Sequence, residues 1–353
     1  MAHLLRRVLV TGANGNLGRQ LIARLCDVSE EDGGDRSTVP TQVRALVRSE
    51  AAAESVRRVP TAGQPEVMVG DYANADSMAK AVAGCQCVVH LVGIIKEGGR
   101  ATYSSAHEET CRILEEAAAQ AECQRIVYLS IFGSRAGDPN PCLNSKGLAE
   151  NVLLQGRVPA TVIRVPMVLG PDDFASAALR AQGQAGLVPL VGGGKTLQQP
   201  IDSRDVVQAI LAALADESGA MSALDLCGPE CLEHRDLLAR VAALHGKAPR
   251  ILSIPVPLAR FFAGAMERFS KNPPITRPML EILQHDDQLD ETSCCEQLGI
   301  TLTPLSKTLR DYMGPDMGPD MGPAMGPDAG PDMGPEVRPE PPQPTNPEAR
   351  NHD

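Results

Sequence analysis

Arg7-Val-Leu-Val-Thr11-Gly12-Ala-Asn14-Gly15-Asn16-Leu17-Gly18 is the stretch that decides the fold. Arg7–Val10 is a short apolar, β-branched run and reads as a buried strand. Three glycines follow at once with two residues between each pair, and a helix-period segment, Leu17–Cys26, opens directly behind them. In that strand–turn–helix setting each glycine has a reason. Gly12 permits the tight turn, Gly15 lets backbone approach a pyrophosphate, and Gly18 lets helix and strand pack closely. The amides at the helix start then face the phosphates of a dinucleotide. Thr11, Gly12, Asn14, Gly15, Asn16, Leu17 and Gly18 are the expected contacts.

Outward from this unit the alternation repeats. Gln42–Val47, Glu66–Val69, Cys87–Val92, Arg125–Ser130 and Ala160–Val165 read as further buried strands. Helix-period segments lie between them at Ala51–Val59, Asp76–Val82, Ala106–Ala121 and Lys146–Leu154. The pattern predicts an α/β protein, a Rossmann-type doubly wound parallel sheet spanning residues 1–165. The acid-rich stretch Val28–Thr41 interrupts the rhythm as a solvated insertion. After Pro166 come a triple glycine, Gly192–Gly194, and helices at Asp205–Ala215, Arg235–His245 and Pro257–Phe269, which suggest a smaller, partly interleaved lobe over residues 166–312. From Met313 to Asp353 the chain runs through Met-Gly-Pro-acid tetrads, a composition expected to stay disordered.

Composition narrows the function. Aromatics make up 3% with no Trp, so Val, Leu, Ile and Ala must build the core, as suits a sheet buried on both faces. The net charge is −11, of which the eight acids and two bases from Met313 to Asp353 supply −6. No clustered basic surface of the kind that grips a phosphate backbone is expected, so nucleic acid is not an expected partner. The ten cysteines form no C-x-x-C, and no metal site is expected. No apolar run reaches the roughly 20 residues of a membrane span. With Met1–Arg7 running straight into the first strand, a cytoplasmic protein without signal or transit peptide is expected, and peripheral attachment to the inner membrane is compatible with that.

Several side chains beyond the glycine loop point to the same ligand. The second strand ends in Arg48, where an NAD site would carry an acid for the ribose 2′-hydroxyl. An arginine there suits a 2′-phosphate, which favours NADP(H) over NAD(H); a solvent-facing arginine is the plain alternative. Gly70-Asp71-Tyr72 follows the third strand, where Asp71 either accepts from an adenine amine or caps the next turn. The fourth strand runs out in His90-Leu91-Val92-Gly93, whose small end residue lets backbone pass near a ribose. His90 itself reads as a packed core histidine.

Thr11-Gly-x-x-Gly-x-x-Gly18, Gly70-Asp71, Leu91-Val-Gly93, Tyr128-Leu-Ser130, Ser145-Lys146 with Ala149-Glu150, and Arg164-x-Pro166 occur in an order that resembles the extended and atypical short-chain dehydrogenases. The later segments Pro255-Val-Pro-Leu-Ala-Arg260, Ile275–Asp287 and Leu298–Leu305 look like the branch that contains the nucleotide-binding accessory subunit of respiratory complex I. By that resemblance Lys146 is the catalytic lysine, which also holds the nicotinamide ribose, and Ser130 the serine. The tyrosine position, four residues before Lys146, is Cys142. The remaining tyrosines, Tyr72, Tyr103, Tyr128 and Tyr312, have no lysine at that spacing. A thiol stops short of where a phenol oxygen would reach. The resemblance therefore implies a dinucleotide-binding protein that is weakly catalytic or non-catalytic and associated with a respiratory-complex or quinone-related assembly. The alternative is an active NADPH-dependent reductase or epimerase-like enzyme that uses Cys142, Tyr103 or water as its proton donor.

Overall fold

The computed structural model describes residues 7–27, 41–99, 101–216, 220–270, 272–289 and 291–315. The inserted stretch expected at Val28–Thr41 lies outside them except for Thr41, and so does the tail from residue 316 onward. The first half alternates as the pattern requires: β1 (Arg7–Thr11), α1 (Asn16–Cys26), β2 (Gln42–Val47), α2 (Glu50–Arg57), β3 (Glu66–Val69), α3 (Ala75–Val82), β4 (Cys87–His90), α4 (Thr110–Gln120), β5 (Arg125–Ile131), α5 (Pro141–Leu154) and β6 (Ala160–Val165). The second half is more broken: β7 (Val168–Leu169), α6 (Phe174–Gln184), β8 (Leu187–Val191), β9 (Leu197–Gln198), β10 (Ile201–Asp202), α7 (Ser203–Ala215), β11 (Ser222–Asp225), β12 (Leu232–Glu233), α8 (His234–Leu244), β13 (Arg250–Ile254), α9 (Val256–Phe269), α10 (Arg277–Leu283), α11 (Glu291–Leu298) and α12 (Leu305–Met313).

Seven strands form one parallel sheet in the order β11-β6-β5-β4-β1-β2-β3. The order reverses between β1 and β4, and the crevice at their carboxyl ends is where such a sheet receives a ligand. Both faces are covered, which is why the strand sequences are apolar runs rather than alternations. Val8 and Val10 enter the layer with α1 and α7, among Leu21, Ile22, Val206 and Ile210. Leu9 points the other way, toward Met78, Leu114 and Leu153 of α3, α4 and α5. The odd member is Arg44 on β2, buried yet charged. Its Nη1 donates to the carbonyls of Ala81 (2.7 Å) and Ala83 (2.8 Å), and its Nε to Glu66 (3.0 Å). A cation thereby closes the carboxyl end of α3, where the helix dipole is negative.

Two features move the boundaries read from sequence. Helix α5 starts at Pro141, not near Lys146, because Asn140 caps it through the amides of Cys142 (3.0 Å) and Leu143 (3.3 Å). Met313, taken above as the first tail residue, is fully buried and is the last residue of α12. It packs with Leu179, Leu237 and Val241 of α6 and α8. Asp202 anchors that helix, accepting from Thr308 Oγ1 (2.7 Å) and Tyr312 Oη (3.0 Å) while paired with Arg204 (2.7 Å).

Candidate functional site

The loop between β1 and α1 turns at Gly12, whose φ of +69° is the left-handed conformation that glycine adopts without strain. A Cβ there would also stand 3.0 Å from the Leu91 carbonyl carbon, so the strand-end segments of β1 and β4 lie backbone to backbone. At Gly18 a Cβ would come within 2.5 Å of Gly12 O and 2.7 Å of Ala13 O. Helix α1 therefore closes on its own loop as well as on the sheet. Gly15 differs. Its only close neighbour would be Gly12 O at 3.2 Å, and the residue is exposed at the amino end of α1. That open backbone face, above amides at a helix start, fits a pyrophosphate.

Tyr72 locks this loop to the neighbouring strand. Its hydroxyl accepts the Gly12 amide (3.2 Å) and donates to Leu46 O (3.1 Å), and burial raises its pKa. The Arg48 guanidinium lies 5.4 Å from the centre of the same ring, at the carboxyl end of β2. Asp71 caps its turn, with Oδ1 accepting from the Ala73 amide (2.9 Å). The Asn16 side chain donates to the Pro171 carbonyl and accepts from Gln20 (2.5 Å), which ties the loop to the segment after β7. What Asn16 offers a phosphate is its backbone at the helix start.

The other end of the crevice is made by buried side chains. Lys146 is buried, donates to Leu129 O (3.1 Å), and sits 4.6 Å above the Tyr128 ring. Burial lowers its pKa. Gly93 makes room for it, since a Cβ there would be 2.8 Å from Nζ. An ammonium carries three donors, so beyond Leu129 this one could still grip ribose hydroxyls. Loop 91–93 and Lys146 thus converge beyond the end of β4.

Two other expected residues do not join them. Ser130 gives its hydroxyl to Glu150 (2.5 Å), which in turn is paired with Arg164 (2.6 Å). Cys142 is fully buried among Ile94, Tyr103 and Ala106, with its thiol directed at Ile94 O (3.6 Å). Burial pushes its pKa up to about 11. Tyr103 likewise commits its hydroxyl to Ile95 O (2.9 Å).

Sequence reasoning missed His107 and Ser145. His107 stands on a π-helical turn, Ser104–Glu109, that leads into α4. Its Nε2 accepts the Ile94 amide (3.0 Å), so Nδ1 carries the proton and donates to Ser145 Oγ (2.7 Å). Ser145 then donates to Cys142 O (2.9 Å). The chain fastens the segment after β4 to the first turn of α5. Burial, aided by nearby Lys146, pushes the His107 pKa down to about 2. His90 is the packed histidine expected, bonded to Thr11 Oγ1 (2.7 Å) and stacked on Tyr128 at 5.6 Å, with its pKa lowered to about 3 by burial. No sequence signal marked His107, because its π-turn, an arrangement frequent at functional sites, is invisible in hydrophobic periodicity.

Residues 12–217 match the family described as NAD(P)H-binding, which is more than half of the chain. The chain belongs to that NAD(P)H-binding family. Its match begins at Gly12 and runs through Lys146 and α7, so both ends of the crevice fall inside the family's domain. A relative similar over a longer span is the mitochondrial NADH dehydrogenase [ubiquinone] 1 alpha subcomplex subunit 9 of Arabidopsis thaliana, 26% identical over 280 residues, covering 78% of this chain and 67% of the relative. The fold of this NAD(P)H-binding chain is also that of a triphenylmethane reductase of Citrobacter sp. solved with NADP(H), at a TM-score of 0.65 and 19% identity, over 86% of this chain and 99% of that one. A UDP-glucuronic acid 4-epimerase of Bacillus cereus, solved with NAD, gives a TM-score of 0.67 at 17% identity, over 87% and 98%. Among the described residues no helix is long and apolar enough to cross a membrane.

Proposed function

We propose that this chain holds NADPH in preference to NADH, does not run tyrosine-based reductase chemistry, and acts as a nucleotide-holding subunit of a respiratory or quinone-linked assembly. The observation that carries the reading is Cys142. A side chain at the tyrosine position must reach substrate to move a proton, and reach comes before acidity. This thiol is enclosed, directed at Ile94 O, and held protonated by burial. Tyr103, the nearest phenol in the same cluster, is bonded to Ile95 O, and burial raises its pKa well above the ordinary phenol range. A bound dinucleotide supplies hydride chemistry; what this chain's residues supply is grip and orientation. The glycine loop and Lys146 support that role, and Arg48 beside the loop supports a 2′-phosphate. The likeness to the plant NADH dehydrogenase subunit supports membership of an assembly.

The retained Lys146 favours one rival, an active reductase with a different proton donor, and a single set of measurements separates the two. NADPH and NADH are titrated by calorimetry, and NADPH oxidation is followed with quinones, ketones and nucleotide sugars. The expected outcome is tighter NADPH binding, reversed in Arg48→Asp, with negligible oxidation. Equal affinities unmoved by Arg48→Asp remove the NADPH assignment. Turnover that survives Cys142→Ala removes the non-catalytic reading. Cys142→Tyr should not restore activity, because a ring forced into this closed cluster costs about 1–3 kcal/mol in strain.

A further inference from the structure

Helix α9 is built inside out. Leu258, Phe261, Phe262, Ala265 and Phe269 recur at i, i+3, i+4, i+7 and i+11, the spacing of one continuous helical stripe. Such a stripe normally faces the core, yet here Leu258 is 45%, Phe261 67%, Phe262 55% and Phe269 88% exposed. The side that packs on the protein carries small and polar residues instead. Ala263 is buried, Gly264 lies against the Arg277 guanidinium, and Glu267 accepts the Arg277 amide (2.6 Å). Three of the five phenylalanines of an aromatic-poor chain thus stand in the open on one helix. Strand β13, which leads into α9 through Pro255, adds exposed Ile251 and Leu252. An apolar surface of this extent marks an interaction site.

Charge identifies what it meets. The chain as a whole is −11, but residues 246–281 hold six Lys or Arg against two acids, Glu267 and Glu281, a net of +4. Glu267 lies on the packed side and Glu281 is paired with Arg260 (2.8 Å), whereas Arg268 is exposed at the edge of the stripe. A helix of 14 residues is about 21 Å long, too short to span a bilayer but suited to lie in its interface. We infer that α9 and the end of β13 dock on an anionic lipid surface, with the phenylalanines entering the acyl boundary and the basic residues facing lipid phosphates. Such lipids add attraction for each basic residue near the surface. The face is joined to the cofactor crevice, because Lys96 beyond loop 91–93 donates to Asn272 Oδ1 (2.6 Å) and Pro273 O (3.2 Å) directly after α9. Docking is independent of whether the crevice turns over substrate.

The lack of tryptophan gives a clean test. In full-length Phe262→Trp the single indole should shift its emission to the blue with vesicles of phosphatidylcholine plus phosphatidylglycerol. Phosphatidylcholine alone should bind at least about tenfold more weakly, and added salt should reverse the effect. Phe174→Trp, exposed on α6 away from the stripe, should show no shift. Phe261→Asp with Phe269→Asp should weaken vesicle binding at least about tenfold while NADPH affinity, which reports the fold, stays unchanged. No blue shift with either vesicle overturns the inference, as does an equal shift at Phe174→Trp. A shift that appears without lipid as protein concentration rises also overturns it, in favour of a second copy of the chain. Unaltered vesicle binding by the Asp variant, with NADPH binding intact, overturns it as well.

Discussion

At the glycine-loop end, the crevice is walled by backbone atoms from residues 12–18, and the side chains of Tyr72 and Asn16 brace that loop against neighbouring segments. At the lysine end, the atoms come from the segment after β4, the π-turn, β5 and α5, and nearly every one is the polar tip of a buried side chain. The first end is tolerant of side-chain chemistry and intolerant of volume. The second is tolerant of neither, because a buried polar group that loses its partner carries its full desolvation cost. At this end Cys142 is accommodated in an ordered, closed cluster. The thiol has found a carbonyl, and His107 and Ser145 have fastened the helix around it.

The sharpest way to break this comparison is to add volume at the loop. Gly15→Val should lower NADPH affinity at least about 100-fold, near 2.7 kcal/mol, with little change in melting temperature. Gly18→Val should instead cost about 3 kcal/mol of fold stability, since its side chain meets the loop's own carbonyls. Calorimetry and thermal melts on both variants check this. If Gly15→Val binds normally, the loop is not the ligand's seat.

The lysine end should reveal itself through pH. His90 and His107 are held neutral by burial, with pKa values near 3 and 2. Unfolded histidine titrates near 6.5, so below that pH the unfolded chain takes up protons that the folded chain refuses, and stability falls. Their stabilising contribution is present in full above about pH 6.5 and is lost progressively toward pH 3. At about pH 5 the loss is on the order of 2 kcal/mol per histidine. Denaturant titrations at pH 5 and 7 measure it, and His90→Gln or His107→Gln should each flatten the dependence. A wild type equally stable at both pH values would show that these rings are not buried neutral groups.

The smallest effect concerns Tyr72, a side chain that braces the loop. Tyr72→Phe removes a bond to Gly12 N and one to Leu46 O, and should cost about 1 kcal/mol of stability with a loss of NADPH affinity of only a few-fold. A loss as large as that of Gly15→Val would mean that the loop is shaped by side chains after all, and the contrast between the two ends would fall.

Much of this was legible in the chain itself. The strand runs, the helix periods and the glycine spacing are local properties, and each is enforced by contacts within one βα unit. They determined the parallel sheet and the position of its crevice. What the sequence left open depends on partners far along the chain. Ser130 was expected beside the lysine, but whether its hydroxyl turns to Lys146 or to Glu150 is decided by Arg164, which holds that carboxylate. His107 and Ser145, 38 positions apart, meet because a π-turn and the cap at Asn140 set two helices in register. The stripe on α9 is the plainest case. Its period specifies an amphipathic helix and says nothing about which face is covered. Ala263 is buried, and Gly264 and Glu267 meet Arg277 of the next helix, so the packing of α10 on α9 leaves the phenylalanines outward.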